Sequence, residues 1–219
     1  MQAPTLAELQ TPPEPLPRGP HGLSRAEIAA RQRRRMLWAG WQLLAEKGFS
    51  ATVADVTAKA GVSRKTFYDH FADREDCLLA AYDLCNAALM RHVIDAGLQV
   101  AAAEPIEQLR AAVHAYLAFL AASPVLARAA LVEGPTVGTV AIEHCAQVRR
   151  DLAAMLRAWH EAARRARPDW PQAPDSAFTA LAGAMHELAF QQVIAGATDR
   201  MLELEPAVMR ASAALLTLP

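Results

Sequence analysis

The sequence TVADVTAKAGVSRKTFYDHF, residues 52–71, contains two short amphipathic segments joined by a glycine. Thr52 is suited to cap a first helix, because its hydroxyl accepts a hydrogen bond from an otherwise unpaired backbone N–H. Apolar residues follow it at the spacing of one helix face. Gly61 stands where the chain must leave that helix, and Ser63 is placed to cap a second one. The stretch therefore predicts a helix-turn-helix.

The second helix of this stretch has an apolar side and a side rich in hydrogen-bond donors. Phe67 and Phe71 lie four residues apart, so both are predicted to enter the core with Val62. A polar helix face is usually just solvated, but the helix-turn-helix context favours a DNA surface here, since phosphates and base edges bind such donors. The donor side comprises Arg64, Lys65, Thr66, Tyr68, Asp69 and His70.

Three segments together resemble the N-terminal DNA-binding domain of the TetR family of transcriptional regulators. They are WQLLAEKGFSATVADV (41–56), GVSRKTFYDHF (61–71) and ADREDCLLAAY (72–82). The resemblance covers roughly residues 33–82, and beyond about residue 90 it is one of architecture only. It implies a homodimeric regulator, by default a repressor, that binds a palindromic double-stranded operator and is released by a small-molecule effector.

The resemblance also implies a role for individual residues. Arg64 and Lys65 match positions that face base edges, and Asp69 matches one that faces either bases or phosphates. Ala54 departs from the family pattern, which often has a polar residue there, so one backbone contact fewer is expected. The DNA-binding residues implied are Thr52, Ser63, Arg64, Lys65, Thr66, Tyr68, Asp69, His70 and Arg74, with Thr52, Thr66, Tyr68, His70 and Arg74 on phosphates.

The charges of the 219 residues are unevenly distributed. Net charge is only -1, yet residues 18–74 carry 11 of the 22 Lys and Arg against 5 of the 23 Asp and Glu. A basic head on an acidic body is expected when one end of a protein contacts DNA. The apolar content of 53% is enough for an extensive core.

Helical periodicity without any useful strand signal predicts an all-α fold of about nine helices. We expect a disordered arm over residues 1–23, which hold six of the 14 prolines and are given no core role. A helix-turn-helix domain (24–72) follows, and then an effector-binding and dimerisation domain (73–219), entered through a linking helix over residues 73–97. The arm either contacts DNA or is an ordinary flexible terminus.

The first predicted helix opens at Ser24, which forms a capping box with Glu27, and ends at Lys47 before Gly48. Gly40 inside it indicates close approach of a neighbouring helix. Two interpretations stay open for the arginines that precede Gly40 in this helix. They either approach a phosphate strand of the DNA or keep that end of the helix soluble. They are Arg31, Arg33, Arg34 and Arg35.

The last two predicted helices, residues 175–195 and 205–216, have apolar faces with many small residues. Ala182, Gly183 and Ala184 allow close helix approach, so this pair is predicted to form a four-helix dimer interface with its twofold mate. Two recognition helices about 34 Å apart read successive major grooves, which a single one cannot do. The alternative is that the pair belongs to the core of a monomer.

The effector is expected to be hydrophobic or aromatic, because a mostly apolar set of large side chains is available in the second domain. The competing interpretation is that these residues are ordinary core and surface positions. The candidate pocket residues are Tyr116, Phe119, Met155, Trp159, His160, His186 and Phe190.

An enzyme, a metal-binding protein and a protein-interaction module are the classes of function that compete with a regulator. The histidines at 114, 144, 160 and 186 lack the i, i+4 spacing of a helical metal site, and no nucleophile motif accompanies them, so no enzyme, cofactor or metal is predicted. A helical protein-interaction module with a vestigial DNA-binding head is the remaining alternative.

Three sparse cysteines and the lack of a signal-peptide pattern predict a cytoplasmic protein. The cysteines are expected to be buried and inert rather than a redox switch. The longest charge-free stretch, residues 111–127, holds His114, Ser123 and Pro124, which argues against a membrane span.

Overall fold

A computed structural model describes residues 5, 8–9, 11–15, 22–134 and 139–218. In those residues the chain forms nine α-helices and no β-strand, as predicted. It divides into two compact units, Met1–Ala88 and Leu89–Pro219. The boundary falls inside one long helix, so that helix belongs to both units.

The first unit contains the predicted helix-turn-helix and the helix before it. The helix α1 begins with the predicted capping box of Ser24 and Glu27 and ends at Gly48, which has a φ of 60°. Its helices are α1 (Arg25–Lys47), followed by the 3₁₀ turn Gly48–Ser50, α2 (Val53–Ala60), α3 (Arg64–Tyr68) and the start of α4 (Arg74–Gln99).

The core of the first unit joins α1, α2, α3 and the start of α4. Phe67 is completely buried and Phe71 is 2% exposed, which confirms the predicted apolar side of the second helix. A Cβ at Gly40 would lie 2.9 Å from the Cβ of Ala81, closer than atoms can pack. Only glycine therefore allows α1 and α4 to approach this closely, as its position in the sequence indicated.

The second unit is a bundle built around one continuous apolar cluster. Its last two helices agree with the predicted bounds to within one residue, and α4 extends two residues past the predicted stop at Gly97. They are α5 (Pro105–Ala122), α6 (Pro124–Arg128), continued by a π-helical turn (Ala129–Glu133), α7 (Thr139–Ala166), α8 (Asp175–Ile194), the 3₁₀ segment Thr198–Leu204 and α9 (Glu205–Leu216).

The N-terminal region differs from its prediction. We expected residues 1–23 to have no core role, but Leu9 is only 4% exposed and its carbonyl accepts from the side chain of Gln42 on α1. The burial of Leu9 was not predicted, because the region is rich in proline and hydrophobic periodicity cannot identify one isolated buried residue. Ten residues of this region are described, and the rest of the arm prediction lies outside the described residues.

One described helix, α4, is long and apolar enough to span a membrane by length and composition, and half of that window is buried within the chain. The α5 and α6 segments pass the same test only together, with a bend of 103° between them. Core helices of helical bundles pass such tests routinely, so this is weak evidence for a membrane span.

Candidate DNA interface

The helix-turn-helix is held by short-range hydrogen bonds at both helix starts. The Thr52 hydroxyl accepts from the Asp55 backbone N–H, and the Asp55 carboxylate accepts from the Thr52 backbone N–H, which is a capping box. The Ser63 hydroxyl accepts from the Thr66 N–H at 3.0 Å and caps α3. Between the helices Gly61 adopts the left-handed conformation with a φ of 66°. The caps at Thr52 and Ser63 and the turn at Gly61 were predicted from residue type, whereas the reciprocal bond to the Asp55 carboxylate was not.

The outward side of α3 presents a compact group of unburied donors. Arg64 and Lys65 are exposed and Tyr68 is 58% exposed, whereas Phe67 between them is buried. Within the described part of the chain neither Arg64 nor Lys65 forms an ion pair, so both charges are free to neutralise an anion. A guanidinium beside an ammonium is the chemistry that guanine edges and phosphates bind.

Other predicted contact residues are already engaged within the protein. The Ser63 and Thr66 hydroxyls bond each other at 2.9 Å, and the His70 ring lies 3.3 Å from the Gln32 amide oxygen. Burial, and secondarily the charge of Arg33, lowers the pKa of His70. His70 is therefore held as a neutral ring, which suits a hydrogen bond better than an ion pair.

Thr52, Asp69 and Arg74 flank the donor group. Thr52 and Asp69 are exposed, and the Arg74 guanidinium is half-buried with the Glu75 carboxylate 3.6 Å away. Hydrogen bonds from Lys47 and from Thr52 hold the pKa of Asp55 far below its usual range. The capping carboxylate is thus ionised at neutral pH.

The arginines of α1 have distinct surroundings. Arg33 donates to the His70 carbonyl at 3.2 Å and lies 4.5 Å over the Phe71 ring, so it ties α1 to the end of the helix-turn-helix. Arg35 donates only to backbone carbonyls. Arg34 is exposed. The sequence left a phosphate role and a solubility role open for all of these arginines. Arg33 and Arg35 instead form hydrogen bonds within the protein.

The candidate effector residues all lie in the second unit. Tyr116 is buried, and burial raises the pKa of its hydroxyl to about 12. His186 stacks on Phe190 with ring centroids 6.4 Å apart, and burial lowers its pKa. The remaining members pack against or within the same apolar cluster: Phe119, Met155, Trp159 and His160.

A ring cluster around His160 includes residues that sequence reasoning missed. Trp170 lies 6.4 Å from the His160 ring and 6.1 Å from Trp159, and Phe178 lies 5.6 Å from His160. The ring nitrogens Nε1 of Trp159, Nε2 of His160 and Nε1 of Trp170 are buried without a hydrogen-bond partner. Trp170 comes from the proline-rich loop before α8, and only its size among small and polar neighbours hinted at a core role.

The His160 ring has Nε2 buried without a partner, and the Leu216 backbone acts on the ring so as to favour its protonated form. In the neutral tautomer that carries its proton on Nδ1, Nε2 holds the lone pair. Burial, followed by the nearby Arg164 charge, lowers the pKa of His160. The cluster therefore combines a buried acceptor with two buried indole donors.

No group of three or more potential metal ligands occurs among the described residues. Elsewhere the exposed His114 ring has its Nδ1 2.9 Å from the Glu205 carboxylate, within hydrogen-bond distance. Such surface pairs contribute little to stability. Cys77, Cys85 and Cys145 are buried, and burial raises the pKa of Cys77 to about 12, so that thiol is unreactive.

Together these features define a helical protein that has a DNA-binding unit of the helix-turn-helix class and a second helical unit. Residues 37–81 match the family of bacterial regulatory proteins known as the tetR family. This stretch therefore carries the DNA-binding domain of that family, as the sequence indicated. No curated protein matches the sequence.

Solved structures with the same fold include several regulators of this family. A TetR-family regulator from Pectobacterium atrosepticum has a TM-score of 0.69 at 21% identity, covering 90% of this chain and 100% of its own. FadR from Bacillus subtilis, solved with stearoyl-CoA, has a TM-score of 0.67 at 15% identity over 85% and 98%. FadR from Thermus thermophilus, solved with lauroyl-CoA, has a TM-score of 0.61 at 21% identity over 81% and 93%. Because the identities are only 15% to 21%, the likeness establishes the fold alone.

Proposed function

We propose that this regulator is a homodimeric repressor in the cytoplasm that binds a palindromic operator and leaves it when a hydrophobic or aromatic effector binds. The observation that carries the proposal is the donor group on α3, where Arg64, Lys65 and Tyr68 stand exposed beside buried Phe67. A five-residue helix reads few base pairs, so useful specificity requires a second copy at an adjacent major groove.

Selection of bound duplexes from a random pool, followed by affinity measurements at several salt concentrations, tests DNA recognition. We expect an inverted repeat to be enriched and its affinity to fall steeply with salt, because each neutralised phosphate releases counterions. Failure to enrich any sequence, with and without candidate effectors, would favour the protein-interaction module. Transcription in vitro from a promoter that contains the repeat then separates repression from activation.

The dimer is proposed to form through α8 and α9. The outward side of α8 carries small residues such as Ala180 and Gly183, and a Cβ at Gly183 would meet no atom within 4 Å. A second copy could therefore approach closely there. Gly183→Arg should give a monomer in light scattering, and Ala158→Arg on the exposed side of α7 is the control. A monomer from the control alone would place the interface on α7.

The effector is proposed to occupy the apolar side of the second unit near Tyr116, Phe119 and Met155 and to place its polar group at the ring cluster around His160. A hydroxyl can donate to the lone pair of His160 Nε2 and accept from an indole N–H, so it matches the unsatisfied nitrogens. Hydroxylated aromatic compounds are therefore the first class to test. Long-chain acyl-CoA is the second, because two similar folds bind stearoyl-CoA and lauroyl-CoA.

A thermal-shift screen of the full chain with phenols, long-chain acyl-CoA thioesters and small polar metabolites separates these possibilities. Binding to the folded state alone raises the melting temperature in proportion to the logarithm of ligand concentration. Stabilisation by a phenol that is lost in His160→Phe supports the polar contact. Stabilisation only by charged, polar metabolites would contradict the apolar effector.

A further inference from the structure

An N-terminal segment outside the family match is packed against the DNA-binding unit. We call its described residues, Thr5, Glu8–Leu9 and Thr11–Pro15, the N-terminal strap. Reciprocal hydrogen bonds between Thr5 and Glu8 form its own capping box, with the Thr5 N–H 2.6 Å from the Glu8 carboxylate. Leu9 is its apolar anchor at 4% exposure, and Gln42 of α1 donates to the Leu9 carbonyl at 3.2 Å.

Arg35 of α1 connects the described part of the strap to the helix-turn-helix. Arg35 of α1 donates through Nη1 to the carbonyls of Pro13 at 2.9 Å and Glu14 at 3.0 Å, and through Nε to the carbonyl of Ala60 at 2.7 Å. Ala60 is the last residue of α2, where backbone carbonyls lack partners within the helix. A single guanidinium thus bonds the strap and the end of α2 together.

The guanidinium also lies against the turn itself. A Cβ at Gly61 would come within 3.3 Å of Arg35 Nη2, so the turn and the arginine are in close contact. Gly61 connects α2 to the donor-bearing helix α3. Any movement of the Ala60 carbonyl therefore changes the direction in which α3 leaves the turn.

We propose that the strap and Arg35 form a brace that fixes the turn between α2 and α3 in the geometry used for DNA binding. Arg35 is a positioning residue. It carries a charge near the DNA-binding surface, but its hydrogen bonds go to backbone carbonyls. Its planar fork of donors spans three acceptors, which the single ammonium of a lysine cannot reproduce. Both Arg35 and the strap precede the family match, which begins at residue 37.

Removal of residues 1–15 separates this proposal from an electrostatic role of the strap. Those residues contain two acidic side chains, Glu8 and Glu14, and no Lys or Arg. Loss of two negative charges strengthens DNA binding by electrostatics alone, since the protein then repels phosphates less. Loss of the brace weakens DNA binding, so the two explanations predict opposite signs.

The experiment uses the full chain, the chain lacking residues 1–15, and the pair Arg35→Lys and Arg34→Lys. Both substitutions keep the charge, and Arg34 is an exposed neighbour that serves as the matched control. Fluorescence anisotropy with the duplex enriched by selection should give roughly threefold to tenfold weaker binding for the truncation and for Arg35→Lys. The salt dependence of Arg35→Lys should equal that of the full chain, because no phosphate contact is lost. Equal or tighter binding by the truncation, or equal affinities of the two lysine variants, overturns the proposal.

Amide hydrogen exchange supplies a readout that does not depend on the operator. The Gly61 and Val62 N–H groups bond to Ala58 and Thr57 carbonyls across the turn, so their exchange reports its stability. They should exchange faster in Arg35→Lys than in Arg34→Lys. If the truncated chain does not fold by circular dichroism, Leu9→Ala, which removes only the anchor, takes its place with the same expected losses. Unchanged exchange at Gly61 and Val62 in both Arg35→Lys and the folded strap variant overturns the brace.

Discussion

Polar groups are used differently around the helix-turn-helix and inside the second unit. At the helix-turn-helix, Thr52 bonds Asp55 and Ser63 bonds Thr66, each pair three residues apart in the sequence. In the second unit, the rings whose nitrogens stay buried and unsatisfied pack near one another, and two of them, His160 and Trp170, are ten positions apart in the sequence.

This difference matches what each region has to do. A DNA surface needs a fixed backbone geometry with exposed donors, and complete local hydrogen bonding supplies that geometry. An effector site needs groups that are satisfied only when a ligand arrives, because a buried unsatisfied polar group costs about 1 to 3 kcal/mol that a bound partner recovers. Completed bonds therefore accompany the caps of the helix-turn-helix, and most of the uncompleted ones are grouped at the site proposed to switch, with Trp38 Nε1 on α1 as an exception in the first unit.

The largest expected effect tests the rigid side of this comparison. Phe67 is completely buried beneath the exposed donors, so Phe67→Ala should lower the free energy of unfolding by about 3 to 5 kcal/mol. Its neighbour Tyr68 is 58% exposed, and Tyr68→Ala should weaken DNA binding while leaving stability nearly unchanged. Urea unfolding and duplex affinity of both variants check this. Equal stability losses would mean that the two sides of α3 are not functionally separate.

A second effect distinguishes residues within the DNA surface. Arg64→Ala should cost about 1 to 3 kcal/mol on the selected duplex and relax its sequence preference, whereas Arg74→Ala should weaken all duplexes alike and lower the salt slope by about one. Affinities for the selected and a scrambled duplex at several salt concentrations measure both. Equal losses on the two duplexes for Arg64→Ala would remove its base-reading role.

The same contrast explains what the sequence could predict. Every cap at the helix-turn-helix involves residue types with a specific local preference, so Thr52, Gly61 and Ser63 were assigned their positions correctly from spacing alone. Gly40 was also interpretable, since a glycine inside a helix needs a close neighbour, and Ala81 is that neighbour. A rule about local sequence therefore predicted one tertiary contact, the close approach of α1 and α4 at Gly40.

Contacts between distant segments escaped prediction for a physical reason. Trp170 lies in a proline-rich loop and Leu9 in a proline-rich terminus, and both are buried by partners that no periodic pattern identifies. The sequence analysis gave Arg35 the same two possible roles as three other arginines. In the structure it donates hydrogen bonds to carbonyls of residues 21 to 25 positions away in the sequence. The roles of the proposed DNA and effector residues themselves stay predictions.

A smaller effect tests whether local caps carry the geometry of the DNA surface. Thr52→Ala removes the hydroxyl that accepts from Asp55 and should cost about 1 kcal/mol, the usual value for a lost N-cap. His92→Ala, at an exposed position within α4, is the control and should be nearly neutral. Thermal unfolding of both variants decides the point. A neutral Thr52→Ala would mean that packing, not capping, sets the start of α2.

The smallest effect concerns pH and tests the unsatisfied side of the comparison. Burial lowers the pKa of His160, so the folded state binds a proton less readily than the unfolded state, whose pKa is about 6.5. The free energy of unfolding should therefore fall as pH drops below that value, by less than about 1.4 kcal/mol per pH unit for one group. His160→Phe should flatten this slope between about pH 8 and about pH 5, while Trp170→Phe, which removes a neighbouring nitrogen that does not titrate, should keep it. An effector whose hydroxyl donates to His160 Nε2 binds only the neutral ring, so its affinity should fall over the same pH range. A pH-independent affinity would show that the effector's polar group lies elsewhere, even if the ring cluster itself titrates as expected.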